Sequence, residues 1–191
     1  MSPRTEEQYV QIRKNRKVQI MEAALQSFAL EGYYKASIAG IAKRAGVSKG
    51  LLYNYFDSKE ALLDALLAFG MEKFGDILTG IDDVLDTPEE LRQYIKGGFE
   101  LIRREPDFFR LYFGILMQPG VSDLAREHYG EMVQSLIRGL SVYFETKGDA
   151  NPMEKAMLLG ALMDGVGLYY LLAPGTFDLE KLEKMIFELF K

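Results

Sequence analysis

The stretch Ser37-Ile-Ala-Gly-Ile-Ala-Lys-Arg-Ala-Gly-Val-Ser-Lys-Gly-Leu-Leu-Tyr-Asn-Tyr-Phe56 reads as two short helices joined by a tight turn. The first opens at Ser37, whose hydroxyl caps orphan amide hydrogens. It carries Ile38, Ile41, Ala42 and Ala45 at a one-sided helical spacing. Gly46 is the residue type most tolerant of positive φ, placed where a helix must stop and turn. Val47 plugs the corner, Ser48 caps a second helix, and Leu52 and Phe56 fall four residues apart on its inner side. Two helices joined in this way form a helix-turn-helix, whose second member enters the major groove of DNA.

In this reading the second helix spans residues 49–55. With Leu52 and Phe56 turned inward, it leaves Lys49, Gly50, Leu51, Tyr53 and Asn54 for the outer face. Lys49 is a point charge for a phosphate or for guanine O6/N7. Leu51 suits a thymine methyl, Tyr53 offers a hydroxyl on a flat ring, and Asn54 matches adenine at a marginal outward angle. Gly50 keeps any side chain from standing between helix and groove. Ser37, Ser48, Tyr55 and Lys59 sit at helix starts or flanks, where hydroxyls, amide hydrogens and a cation suit phosphate oxygens. Plainer roles stand beside these: capping alone for the two serines, packing against the first helix for Tyr55, a solvated charge for Lys49. Arg13, Lys14, Arg16 and Lys17 form a basic run that either approaches the DNA backbone or minor groove or is a solvated helix face.

Ile41-Ala42, Ala45-Gly46-Val47-Ser48-Lys49-Gly50, Leu52-Tyr53, Tyr55-Phe56 and Ser58-Lys59-Glu60 resemble the N-terminal signature of the TetR family of bacterial repressors. The similarity begins upstream with Ile20, Ala24, Phe28 and Gly32-Tyr33, and covers residues 16 to 67. The resemblance implies an all-helical, variable, ligand-sensing and dimerising body behind the DNA-binding module. It also implies mostly phosphate contacts at the positions of Ser37, Ser48, Tyr55 and Lys59.

Charge is distributed to match. Residues 1–60 hold 10 Lys/Arg against 6 Asp/Glu, leaving 13 against 22 for residues 61–191. A basic front and an acidic body suit a protein that docks DNA at one end only. The chain has 191 residues, enough for a real core, and no cysteine, which excludes disulfides and thiolate metal sites and fits a reducing cytoplasm. The N-terminal residues are polar and basic, without the apolar run of a secretory signal. Ala156 to Ala173 reaches the length of a membrane span, but Asp164 near its middle argues for a helix buried by its own chain and a partner.

Strand formers are scarce, with 8 Val and 5 Thr and no sustained alternation, whereas helical periodicity recurs throughout. The expected fold is all-α with about nine helices. A three-helix helix-turn-helix domain is placed at residues 1–58 and a sensing and dimerisation domain at residues 59–191. Helix one runs from about Glu7 to Leu30. Helix four opens at Asp57 or Ser58, with Asp57 and Glu60 approximating a capping box, and its apolar face runs from Leu62 to Phe74. Thr87-Pro88-Glu89-Glu90 is a capped start for helix five. Further helices follow at 107–117, 122–146, 153–172 and from Asp178 to Phe190.

Helix eight aligns Met157, Ala161, Gly165, Leu168 and Leu172, and helix nine adds Leu182, Met185, Ile186 and Leu189. These are the expected dimer surface, since one recognition helix buries too little for a specific site and two copies on a palindromic operator are needed. By resemblance, the pairing is a four-helix bundle. The aromatic surplus of the body suggests an apolar effector cavity among Phe99, Tyr112, Phe113, Leu116, Met132 and Leu136, with Asp164 as polar anchor. Solid core is the plainer reading of each. The expected activity is a homodimeric, effector-released regulator of transcription, with double-stranded DNA and a small apolar or amphipathic molecule as partners and no cofactor or metal. An enzyme is disfavoured, because His128 is the single histidine and no phosphate loop or metal-ligand cluster is present. A helical carrier of small molecules without DNA activity is the alternative. It leaves Ser48-Lys49-Gly50 without purpose.

Overall fold

The computed structural model describes residues 5–78 and 85–191, with the side chains of residues 74–78, 128, 129 and 132 left aside. The expected roles of Phe74, His128 and Met132 therefore lie outside the described residues. Among the described residues there are nine α-helices and no strand: α1 (Glu6–Glu31), α2 (Ile38–Arg44), α3 (Lys49–Tyr53), α4 (Lys59–Leu78), α5 (Pro88–Arg104), α6 (Pro106–Leu116), α7 (Val121–Thr146), α8 (Pro152–Leu172) and α9 (Leu179–Phe190).

Local chemistry explains most of these limits. Thr5 and Gln8 close a reciprocal capping box at the start of α1. Thr87 and Glu90 do the same for α5, with Pro88 in its first turn. Asp178 accepts from the Lys181 amide at 3.0 Å to open α9. At α4 the cap is Ser58, whose hydroxyl accepts from the Ala61 amide at 3.1 Å, and not the Asp57–Glu60 pair.

Two compact units emerge. The first comprises residues 1–70 together with 111–121, and the second residues 71–110 together with 122–191. A division at residue 58 thus falls inside the first unit. The start of α4 belongs with the DNA-binding helices because Leu62, Leu63, Leu66 and Leu67 are buried with Ile20, Ala24, Phe28, Ile41 and Leu52. The end of α6 joins them through Tyr112, which is buried and donates its hydroxyl hydrogen to the Leu67 carbonyl at 2.9 Å. Gly70 makes room for it, since a Cβ there would lie 2.1 Å from the Tyr112 ring.

In the second unit, α5 packs on α8 and α9. Leu91, Ile95, Phe99 and Ile102 recur along one face of α5 and are all buried. Leu91, Ile95 and Phe99 share a core with Tyr143 and Phe144 of α7, Leu159 of α8, and Ile186, Phe187 and Phe190 of α9. Each fully buried side chain of this size contributes about 1.5–3 kcal/mol relative to exposure. Ile186 was expected on the dimer surface. It lies instead in this core, because α9 turns its 179, 186, 187 and 190 positions inward. Pro152–Leu172 is, among the described residues, the one helix long and apolar enough to cross a membrane by length and composition. Within the chain it buries one side, through Ala156, Leu159, Gly167 and Leu171.

Two measurements probe this packing. Gly70→Ala forces the Tyr112 ring aside and should destabilise the protein by about 1–3 kcal/mol in a urea melt. The Glu90 carboxyl is held down from 4.5 to about 2, chiefly by the Asp86 amide, then by the Thr87 hydroxyl and amide. A lowered folded-state value stabilises above the unfolded value and is lost as pH falls through the folded one. Glu90→Gln should therefore cost stability above pH 4.5, with the gap from wild type closing as the pH approaches 2, followed by circular dichroism during acid titration.

Candidate nucleic-acid interface

The helix-turn-helix is built as its sequence dictates. Ser37 accepts from the Gly40 amide and Ser48 from the Leu51 amide, each at 3.1 Å. Gly46 turns the chain with φ of 65°. The Val47 amide returns to the Ala42 carbonyl at 3.0 Å, closing the corner. Ile41, Ala42, Ala45, Leu52 and Phe56 are buried beneath the turn. From α1, the Gln19 side chain donates to the Ala45 carbonyl at 2.9 Å, and Arg44 reaches back to the Ser27 hydroxyl at 3.0 Å and Glu31 at 3.2 Å. Arg44 is thus a tie within the module.

The outer face carries the side chains expected there. Ser37, Ser48, Lys49, Gly50, Tyr53 and Asn54 are exposed, and Leu51 and Tyr55 are half-buried. Tyr53 is 42% exposed, with the Lys49 ammonium 5.9 Å from its ring centroid. No atom would stand within 4 Å of a Cβ at Gly50, so this chain leaves its outward side open. The helix is shorter than expected, five residues ending at Tyr53, with Asn54 as its C-cap. An open concavity of about 570 Å³ runs between the segment 34–39, Lys49 and Tyr53 of α3, and residues 57–60 at the start of α4.

The basic run on α1 divides. The Arg13 guanidinium stands 5.2 Å from the centroid of the Tyr55 ring, and the Lys17 ammonium 5.9 Å from that of Phe56. Arg16 hydrogen-bonds Gln19 at 2.9 Å. Tyr55 is therefore covered from α1, close to the packing reading.

Lys59 departs most from expectation. Its ammonium lies 3.0 Å from the Tyr33 carbonyl and 3.2 Å from those of Tyr34 and Ala36, and 4.7 Å from the Tyr33 ring centroid. An ammonium has three N–H donors, and here each has a backbone acceptor. The Tyr33 hydroxyl donates to Glu60 at 3.3 Å. Burial first, and then the Glu60 charge, pushes that phenol up to about 12. Hydrogen bonds from its own amide and from Ser58 hold Glu60 below the usual carboxylate range.

Lys35, two residues before the Ser37 cap and not singled out from the sequence, is exposed and lines the concavity together with Lys49.

The expected effector residues are distributed over both units. Tyr112, Phe113 and Leu116 belong to the first, whereas Phe99, Leu136 and Asp164 belong to the second. Phe99 and Tyr112 are fully committed to packing, and Leu136 is half-buried. Asp164 keeps an exposed side chain although its apolar surroundings push its carboxyl up. Its charge adds to burial in raising Tyr94 to about 12. On α8 and α9, Met157, Leu168, Leu172, Met185 and Leu189 are exposed, as is Ala161, while Gly165 and Leu182 are half-buried.

The family model described as bacterial regulatory proteins, tetR family, matches residues 20–66. The HTH-type transcriptional regulator BetI of Pseudomonas fluorescens is 28% identical over 184 residues, 91% of this chain and 90% of that protein. Other curated relatives match over less than half of their own length. A TetR-like transcriptional regulator from Rhodococcus sp. RHA1 superposes with a TM-score of 0.74 at 22% identity, covering 91% of this chain and 92% of that one. The regulator FadR from Bacillus subtilis, solved in complex with stearoyl-CoA, gives 0.71 at 22% identity, with coverage of 91% and 96%. A helix-turn-helix built on these residues and matched by the family model marks residues 20–66 as a DNA-binding domain of the TetR family of bacterial transcriptional regulators, followed by a body that shares the fold of TetR-like regulators.

Proposed function

We propose that the protein binds a palindromic operator as a homodimer, reads bases through Leu51, Tyr53 and Asn54, with Gly50 allowing close approach and Lys49 meeting a phosphate or a guanine, and represses transcription until a small apolar or amphipathic molecule releases it. The observation carrying this reading is the division of α3, with Leu52 fully buried while Lys49, Gly50 and Tyr53 face open space. Ser37 and Ser48 flank this face as phosphate contacts, while Tyr55 packs beneath Arg13 of α1. Such a protein acts in the cytoplasm, where its DNA is.

Pairing is supported by the apolar residues left exposed on α8 and α9. Leu158 and Leu172 of α8 are 63% and 67% exposed, and Leu189 of α9 is 67% exposed. Exposed apolar surface on this scale marks an interaction site. For the effector, the stearoyl-CoA bound by the Bacillus subtilis relative favours an acyl compound. α4 and α6 each contribute residues to both compact units, so a shift of either helix on binding links effector occupancy to the DNA-binding unit. Effector binding then favours a state with weaker operator affinity.

Selection of duplexes from a randomised pool by the full-length protein tests the reading. An inverted repeat should emerge, and failure to enrich any sequence would exclude it. On the selected duplex, Lys49→Ala should weaken binding and lower the log–log salt slope by about one. Tyr53→Ala or Leu51→Ala should instead change which bases are enriched, with a cost of about 1–3 kcal/mol at the contacted position. Leu172→Glu should yield a monomer by analytical ultracentrifugation, with operator affinity lost alongside.

A further inference from the structure

The loop between α1 and α2 is gripped from two sides by residues far away in the sequence. From the start of α4, Lys59 places its ammonium on the carbonyls of Tyr33, Tyr34 and Ala36. From the segment after α6, the Gln118 side-chain carbonyl accepts from the Tyr33 amide at 2.8 Å. Its amide group donates to the Phe28 carbonyl, also at 2.8 Å. Tyr33 is thus held at its amide by Gln118, at its carbonyl by Lys59, and at its hydroxyl by Glu60.

This loop delivers Lys35 and Ser37 to the open concavity beside α3. Ser37 is the cap of α2, so its position sets where that helix begins. An ammonium whose three donors already face backbone acceptors has none left for a phosphate oxygen.

We infer that Lys59 and Gln118 are positioning residues for DNA binding, clamping the 33–36 loop so that Ser37, Lys35 and α2 meet the duplex, with Lys59 itself contacting no phosphate. The inference rests on the DNA-binding reading and adds to it a role for a residue outside the contiguous helix-turn-helix. Lys59 supplies three charge-assisted hydrogen bonds that a guanidinium fork cannot reproduce from the same point. Gln118 supplies two neutral ones and carries no charge at all.

The test uses the full-length protein and the duplex enriched by wild type from the random pool. Affinity is measured across a salt series at a temperature where circular dichroism shows each variant folded. Lys59→Met and Gln118→Met should each bind about tenfold more weakly with the wild-type salt slope, because positioning is lost without removing a phosphate contact. Lys59→Arg, which keeps the charge, should not restore affinity. A slope reduced by about one in Lys59→Met, together with wild-type affinity in Lys59→Arg, would overturn the inference in favour of direct phosphate binding. Wild-type affinity in Gln118→Met would overturn the clamp, and that variant decides the matter if Lys59→Met does not fold. If wild type enriches no duplex, the DNA-binding reading itself falls and takes the clamp with it.

Discussion

A five-residue helix cannot hold itself together in water, where isolated helices shorter than about 12–15 residues are marginal. The reading surface of this protein therefore depends on the burial of Leu52, supported by Phe56 just past the helix end and by the Ser48 hydroxyl on the Leu51 amide. Everything outward of Leu52 is carried passively by that anchor. The arrangement separates two demands on one short segment. Its inner positions decide whether the helix exists, and its outer positions are left free to meet a partner. Side chains at 49, 50, 53 and 54 are free to differ between relatives at little cost in stability, because they have no core to satisfy.

Much of this was legible in local chemistry. Serine, threonine and aspartate caps at 37, 48, 87 and 178 marked helix starts, and each accepts an amide hydrogen from the first turn of its helix. Gly46 marked the turn. These signals work because capping acts over three residues and needs no knowledge of the rest of the fold.

What escaped the sequence is what depends on distant partners. Gln118 pairs with residues 85 and 90 positions away, and nothing in Gln118-Pro119-Gly120 announces it. Lys59 carried a charge that suited phosphate equally well, and only the folded loop shows three carbonyls converging on it. α9 illustrates a related ambiguity. Its apolar arc is wide enough to serve two neighbours, and the spacing assigned Ile186 to a second copy where the fold buries it in its own core. The same limit applied to α8, where spacing identified an apolar stripe without saying who covers it. Its uncovered residues, Leu158, Leu168 and Leu172 among them, leave apolar area of this helix to water.

The first compact unit is discontinuous along the chain, since residues 111–121 complete a body begun by residues 1–70. Regulators of this kind invite recombination, in which a DNA-reading front is grafted onto a foreign sensor. In this protein a splice after residue 70 would leave behind Tyr112, which fills the space over Gly70, and Gln118, which holds the end of α1. A chimera that preserves operator recognition must carry the return segment too, and natural shuffling of the front alone is correspondingly penalised.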